Sequence, residues 1–192
     1  MAEGRGDRPG DRVVLTRRLV LRPVTAADAE DVWLVHQDPH IARWYAGAWS
    51  PEQARRWAQE AEEAWRRDGV GKWLAHRRED GELVGRGGLS RTVLQERPCL
   101  ELGWAVRTPF RGAGYATEIG RAGVRFAFEV LGAQEVLSFT EEHNTASRAV
   151  MERVGMRHVG RVVRPGLVEG LDGVQESAPF ALYRIERDAP GG

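Results

Sequence analysis

The chain has 192 residues, 42% hydrophobic and 29% charged, which fits a single globular domain with a real core and excludes a disordered chain. Its 28 basic and 28 acidic side chains cancel, which argues against a wide electropositive face for nucleic acid. A lone cysteine, Cys99, excludes an intrachain disulfide; with a polar N-terminus and no apolar run of membrane-spanning length, it predicts a cytoplasmic protein without membrane contact.

In chain order, "RLVLRPV" (Arg18 to Val24) alternates apolar and polar residues as a strand does. "TAADAEDVWLVHQDP" then predicts a helix capped by Thr25 and stopped by Pro39. Ser50 and Pro51 open a second helix, a cap followed by proline at the first helical position, with Trp57 and Trp65 expected on one face. "KWLAHRR" and "ELVGRGGLS" read as a hairpin turning at Glu79 to Gly81. "CLELGWAVR" is a further strand, in which Cys99 is expected as a buried, inert thiol. "RTPFRGAGYATEIG" leads into a helix with Ile119, Gly123, Phe126 and Val130 at helical spacing, closed by Gly132. "EVLSFT" is an apolar strand, and "NTASRAVMERVG" a helix with Asn144 as its cap and Gly155 as its stop. "RHVGRVV" and "APFALYRIER" read as closing strands. Residues 1–12 and 189–192 are expected to be disordered tails around one domain, 13–188. A strand-hairpin run followed by alternating helices and strands points to one mixed α/β sheet with helices on both faces, not to a doubly wound fold.

The glycine stretch, Arg107 to Gly120, is where chemistry enters. A helix N-terminus offers unpaired N–H groups and the positive end of the macrodipole, and Gly112 and Gly114 let an anion approach the main chain. A P-loop is excluded, because no lysine followed by Ser or Thr comes after the glycines. A dinucleotide fingerprint fails as well, since Thr117 stands where its third glycine belongs. Taken alone, the glycines support little more than a plain turn between strand and helix.

Arg111-x-x-Gly114-x-Ala116, after a strand and at the start of a helix, resembles the pyrophosphate-binding motif of the GCN5-related N-acetyltransferases, the GNAT superfamily. "NTASRAVMERVGM", one helix and one strand later, resembles a second motif of that superfamily, and "LTRRLVLRPVTAADAEDVW" is similar to the start of its RimJ/RimL-like branch. The ordered set covers roughly residues 15–187. The resemblance implies an α/β (α+β) GNAT fold whose central, mostly antiparallel sheet is splayed at its middle strands. It also implies acetyl-CoA as co-substrate, no metal, and transfer of an acetyl group to a primary amine by direct attack in a ternary complex. Homodimers are frequent in the family.

Carried onto this chain, the resemblance implies that the N–H groups of Arg111, Gly112, Ala113, Gly114, Tyr115, Ala116 and Thr117 hold the pyrophosphate. Trp104, Ala105 and Val106 would pair with the pantetheine arm, and one N–H group there would face the thioester carbonyl. Asn144 is both a plain helix cap and a candidate cofactor contact. Ser147 is the candidate proton donor to the departing thiol, because Met151 occupies the position where many relatives have a tyrosine. Arg107, Arg111 and Arg148 are phosphate partners or solvated surface charges.

Glu101 shares a strand face with Gly103 and Ala105 by period-two alternation, and burial there is expected to raise its pKa toward the range of a general base. Its other reading is a cross-strand partner for an arginine such as Arg86. Trp44, Tyr45 and Trp49 are the expected substrate contacts of an aromatic wall. His143 is a weak candidate, and Pro39 between His36 and His40 speaks against a metal site there. Arginine supplies every basic residue except Lys72, a pattern read as codon bias. The acceptor stays open between a protein N-terminus and a small molecule, including an aminoglycoside-type antibiotic. A non-catalytic acyl-CoA-binding module and a small-molecule binder with a coincidental glycine turn are the rivals.

Overall fold

The computed structural model describes residues 12–187, so the expected tails lie outside the described residues apart from Arg12. Arg12 belongs to the packed body, a correction to the expected boundary: its guanidinium donates to the Trp65 carbonyl (2.5 Å), and its own carbonyl accepts from the Trp73 indole (3.0 Å).

The strands are β1 (Val14–Leu15), β2 (Leu19–Pro23), β3 (Lys72–Arg77), β4 (Leu83–Leu94), β5 (Arg97–Val106), β6 (Glu135–Glu141), β7 (Arg157–Gly166) and β8 (Gln175–Glu186). They form one sheet in the order β1-β2-β3-β4-β5-β6-β8-β7. Every neighbouring pair is antiparallel except β5 with β6. The helices are α1 (Ala29–Gln37), α2 (Pro39–Ala42), α3 (Pro51–Asp68), α4 (Tyr115–Arg125) and α5 (Thr145–Val154). This is the mixed sheet with helices on both faces that the element order predicts.

Local chemistry sets the ends. Ser50 caps α3 by accepting from Gln53 N, and the Gln53 side chain accepts in return from Ser50 N, a reciprocal capping box with Pro51 just inside. Gly69 and Gly155 end α3 and α5 in the left-handed conformation. Three sequence expectations are corrected. The helix expected to run to Gly132 leaves the α-helical ladder after Arg125 and finishes in a π-turn, Phe126–Val130. The hairpin of β4 and β5 extends to Leu94 and Arg97 through Gln95 and Glu96, both at positive φ (49° and 64°). Trp57 and Trp65 part company. Trp65 packs with Trp73 and Phe126, whereas Trp57 packs with Trp49 and His36. Eight residues carry them about 12 Å apart along the helix axis, far enough to reach different clusters.

Two apolar clusters sandwich the sheet. On one face α1 and α3 pack through Val32, Val35, Ala54 and Ala58 onto Leu74 and Ala105. On the other, α4 and α5 pack through Ile119, Ala122, Met151 and Val154 onto Leu102, Trp73 and Tyr183. The parallel pair β5–β6 touches at one register position, Glu101 with Leu137. Just beyond it the Ser138 hydroxyl donates to the Leu102 carbonyl (2.7 Å). Further along, the two strands diverge and leave Trp104 to Val106 unpaired on the β6 side.

Candidate active site

The divergence of β5 and β6 opens a cleft of about 890 Å³ that runs between the two helical layers. A cavity of this size suits an extended cofactor-sized ligand. Its floor is β5, from Glu101 to Val106, and its far wall is the end of β6 with the first turns of α5.

At one end lies the glycine loop. Gly114 caps α4 at φ +82°, a left-handed conformation that glycine adopts without strain. The first bond of the helix runs from Glu118 N to the Gly114 carbonyl, and no side chain caps the turn. Tyr115, Ala116 and Thr117 therefore keep N–H groups without a helical acceptor, and all three residues line the cleft. Arg111, Gly112 and Gly114 line it as well, whereas Ala113 does not; its carbonyl accepts from the Arg18 guanidinium (2.8 Å). Arg18 also holds Glu118 (2.7 Å) and stacks over Tyr115, so the ring of Tyr115 is a packing element. Asp38 ties the loop to the other helical layer: it accepts from Thr108 N (2.7 Å) and Thr108 Oγ1 (2.9 Å) while capping α2 through His40 N and Ile41 N.

Trp104, Ala105 and Val106 face the cleft along β5. Across it, Asn144 is buried and committed twice. Its carbonyl oxygen accepts from Ser147 N (3.2 Å) and its amide donates to Thr140 Oγ1 (3.0 Å). Ser147 lines the cleft with a hydroxyl that makes no hydrogen bond among the described residues, and Met151 lies one turn further along α5, almost fully buried. Tyr183 does not stand in for the missing tyrosine: it is buried behind α5, donating to Glu152 and accepting from Arg148. Arg148 is spent on Tyr183 and the Glu142 carbonyl, and Arg107 on the Leu83 carbonyl.

Glu101 points to the face that alternation assigns it, since a Cβ added at Gly103 would meet its Oε1 at 3.4 Å. Its partners differ from the expected arginine. Ser90, directly opposite on β4, donates to Oε2 (2.8 Å), and the Lys72 ammonium stands 3.8 Å away. Arg86 instead pairs in register with Ala105 and gives its Nε to His36 (3.0 Å). The expected upward pKa shift of Glu101 is overturned. Burial by itself pushes the carboxyl up, but Lys72, the Ser90 hydroxyl, Arg164 and Arg86 together hold it below the ordinary glutamate range. Burial pushes the Lys72 ammonium down, aided by Arg86 and opposed by Glu101.

Of the expected aromatic contacts, Trp44 and Tyr45 line the cleft, with Trp57 beside them. Trp49 does not; it stacks on His36 at 3.4 Å and lies in the packing behind the wall. His143 packs against Trp44. Cys99 is half-buried, not fully buried as expected; burial, with Glu101 and Glu135 nearby, pushes its thiol pKa up. Lys72 is a cleft residue that sequence reading missed, and Arg86 was read only as a cross-strand partner for Glu101, not as part of the cleft. Lys72 was marked only by being the single lysine, and nothing in the local sequence of Arg86 distinguishes it from its many fellow arginines.

The cleft thus combines a splayed sheet, a helix N-terminus without a side-chain cap at one end and a buried carboxylate in the floor. Residues 18–157 match the acetyltransferase (GNAT) domain family, and the chain belongs to that family of acetyltransferases. It is similar to the FsC-acetyl coenzyme A-N(2)-transacetylase of Aspergillus fumigatus, 39% identical over 114 residues, 53% of this chain and 48% of that protein. It is also similar to the putative ribosomal N-acetyltransferase YdaF of Bacillus subtilis, 27% identical over 160 residues, 80% of this chain and 85% of the relative. Among solved structures, a putative ribosomal-protein-serine acetyltransferase from Vibrio cholerae superposes with a TM-score of 0.71 at 22% identity, covering 94% of this chain and all of that one. Among the described residues no helix is long and apolar enough to cross a membrane.

Proposed function

We propose that the protein transfers an acetyl group from acetyl-CoA to a primary amine by direct attack in a ternary complex, in the cytoplasm. The observation that carries this reading is the splay of β5 from β6 leading to the uncapped N-terminus of α4. That arrangement supplies unpaired N–H donors at one end of the cleft and unpaired strand edge along its length. The N–H groups from Arg111 to Thr117 would hold the pyrophosphate, and Trp104 to Val106 the pantetheine arm. Acetyl-CoA supplies an activated acyl carbon; the amine nitrogen forms the new C–N bond, the C–S bond breaks, and coenzyme A leaves as the thiol.

Within this reading Glu101 accepts the proton the amine sheds, directly or through water. Burial pushes its carboxyl up, but Lys72, the Ser90 hydroxyl, Arg164 and Arg86 hold it below the ordinary glutamate range, which favours the charged form that can accept. Ser147, whose hydroxyl in the cleft wall makes no hydrogen bond among the described residues, would donate toward the sulfur. Trp44 and Tyr45 would contact the acceptor.

The test has two parts. Acetyl-CoA at a hundredfold its Kd is expected to stabilise the fold by about 2.7 kcal/mol. A coenzyme A-release screen across peptides, polyamines, aminoglycosides and amino acids is expected to find turnover. Stabilisation without turnover on any amine would leave the chain a binding module, and no stabilisation would remove the cradle reading.

A further inference from the structure

The acceptor side of the cleft floor carries a charge that the protein does not neutralise. In register across three strands lie Lys72, Gly88 and Gly103 in one row, then Leu74, Arg86 and Ala105 in the next, with Ser90 opposite Glu101 beside them. Cross-strand partners share a face, and this is the face turned toward α1 and α3. Lys72 and Glu101 answer each other at 3.8 Å. Arg86 is left over. It is 4% exposed, it lines the cleft, and no carboxylate pairs with it among the described residues. Its hydrogen bond runs from Nε to the Nε2 of His36, and its two terminal nitrogens find no protein acceptor among the described residues.

The guanidinium is nonetheless held rigidly. Its Cζ lies 4.6 Å from the Trp57 ring centroid and 5.2 Å from that of Tyr45. His36, fully buried and stacked on Trp49, must stay neutral to accept from it, so it brings no compensating charge. Glu141 also lines the cleft, but it sits at the far end of β6 opposite Phe180, close to Gly166 and in contact with Thr140. A buried cation without a counter-ion is costly, and ring faces offset only part of that cost. An oriented guanidinium with its terminal edge free fits the two oxygens of a carboxylate. Gly103 and Ala105, which line the cleft, keep the floor around it low enough for a ligand to lie there.

We propose that Arg86 is the specificity-determining residue of the acceptor subsite, and that the acceptor is a small primary amine bearing a carboxylate, seated with the carboxylate on Arg86 and the amine toward Glu101. This rests on the acetyltransferase reading above and narrows its acceptor. The net positive floor has a second effect in the same direction: it disfavours a bare ammonium ion and admits an amine that brings its own negative charge.

The experiment compares matched acceptors, each amino acid against its carboxamide, by kcat/KM for coenzyme A release in the wild-type protein and in Arg86→Gln. The wild type is expected to favour the carboxylate by about tenfold or more, the scale of a charge-assisted, two-point hydrogen bond. In Arg86→Gln that ratio is expected to fall close to one, while acetyl-CoA binding measured by calorimetry shows that the variant is folded. Arg86→Lys, a point charge without the fork, is expected to recover part of the ratio. A wild type blind to the carboxylate, or a preference that survives Arg86→Gln, overturns this proposal alone. Binding of acetyl-CoA without turnover on any amine overturns the acetyltransferase reading with it. Preference for phosphate monoesters of amino alcohols over amino acids would reassign the subsite to phosphate and overturn the carboxylate.

Discussion

At the scale of single residues, the cleft depends on how Glu101 is kept charged. Desolvation and the Lys72 ammonium pull its carboxyl in opposite directions, and with Ser90 and two arginines added the downward pull wins. Removing the cation returns the advantage to burial. Lys72→Met is therefore expected to move the acid-side break of the kcat/KM profile to higher pH, whereas Glu101→Gln is expected to lower kcat/KM by about a hundredfold and erase that break. A profile that Lys72→Met leaves in place would show that Lys72 does not set the ionisation of Glu101. The face on which Glu101 sits was legible from alternation in "LELGWAV". The sign of its pKa shift was not, because its partners stand on β3 and β4, 29 and 11 positions earlier in the chain, and pair with it only across the sheet.

At the scale of elements, one aspartate couples two helices to the glycine loop. Asp38 caps α2 and takes both Thr108 donors, joining the α1–α2 corner to the turn that precedes Gly112. Asp38→Ala is expected to cost about 1–2 kcal/mol, as lost caps do, and to lower Tm by a few degrees. The same variant is expected to weaken acetyl-CoA binding, because the loop loses its anchor; Asp38→Asn, which keeps an acceptor oxygen, should lose less of both. Thermal melts and calorimetric titration measure the two effects, and a melt unchanged by Asp38→Ala would deny the anchor. Capping signals at Ser50 and Asn144 were plain in the sequence, since a cap is a local bond. The turn at Gln95 and Glu96 was not: its positive φ angles belong to a two-residue hairpin that ordinarily advertises itself with glycine or asparagine, and here neither is present.

At the scale of the whole molecule, the buried histidine couples stability to pH. Burial, then the Arg86 charge, lowers the His36 pKa to about 2 from an ordinary 6.5. The folded protein keeps this ring neutral while the unfolded chain protonates it as pH falls below 6.5, so its stability contribution is intact above that pH and erodes below it. The slope approaches about 1.4 kcal/mol per pH unit at its steepest. His40 and His76 are lowered too, chiefly by burial, and add to the same slope. Denaturant melts between about pH 7 and pH 5 are expected to lose stability steadily in the wild type and less steeply in His36→Gln. Equal slopes would show that His36 is not the group responsible.

The sequence by itself determined the order of the elements apart from β1 and α2, where Pro39 opens a short helix instead of only ending one, together with the caps at Ser50 and Asn144, the glycine loop before α4 and the family to which the chain belongs. These rest on short-range physics: hydrophobic period, turn residues and caps act within a few positions. Only the tertiary structure decided that Trp49 packs behind the wall while Trp57 lines the cleft, that Glu101 answers to Lys72, and that Arg86 keeps a free edge in the acceptor floor. Charges interact through space across strands far apart in the chain, and one arginine among many declares nothing until the sheet sets its neighbours.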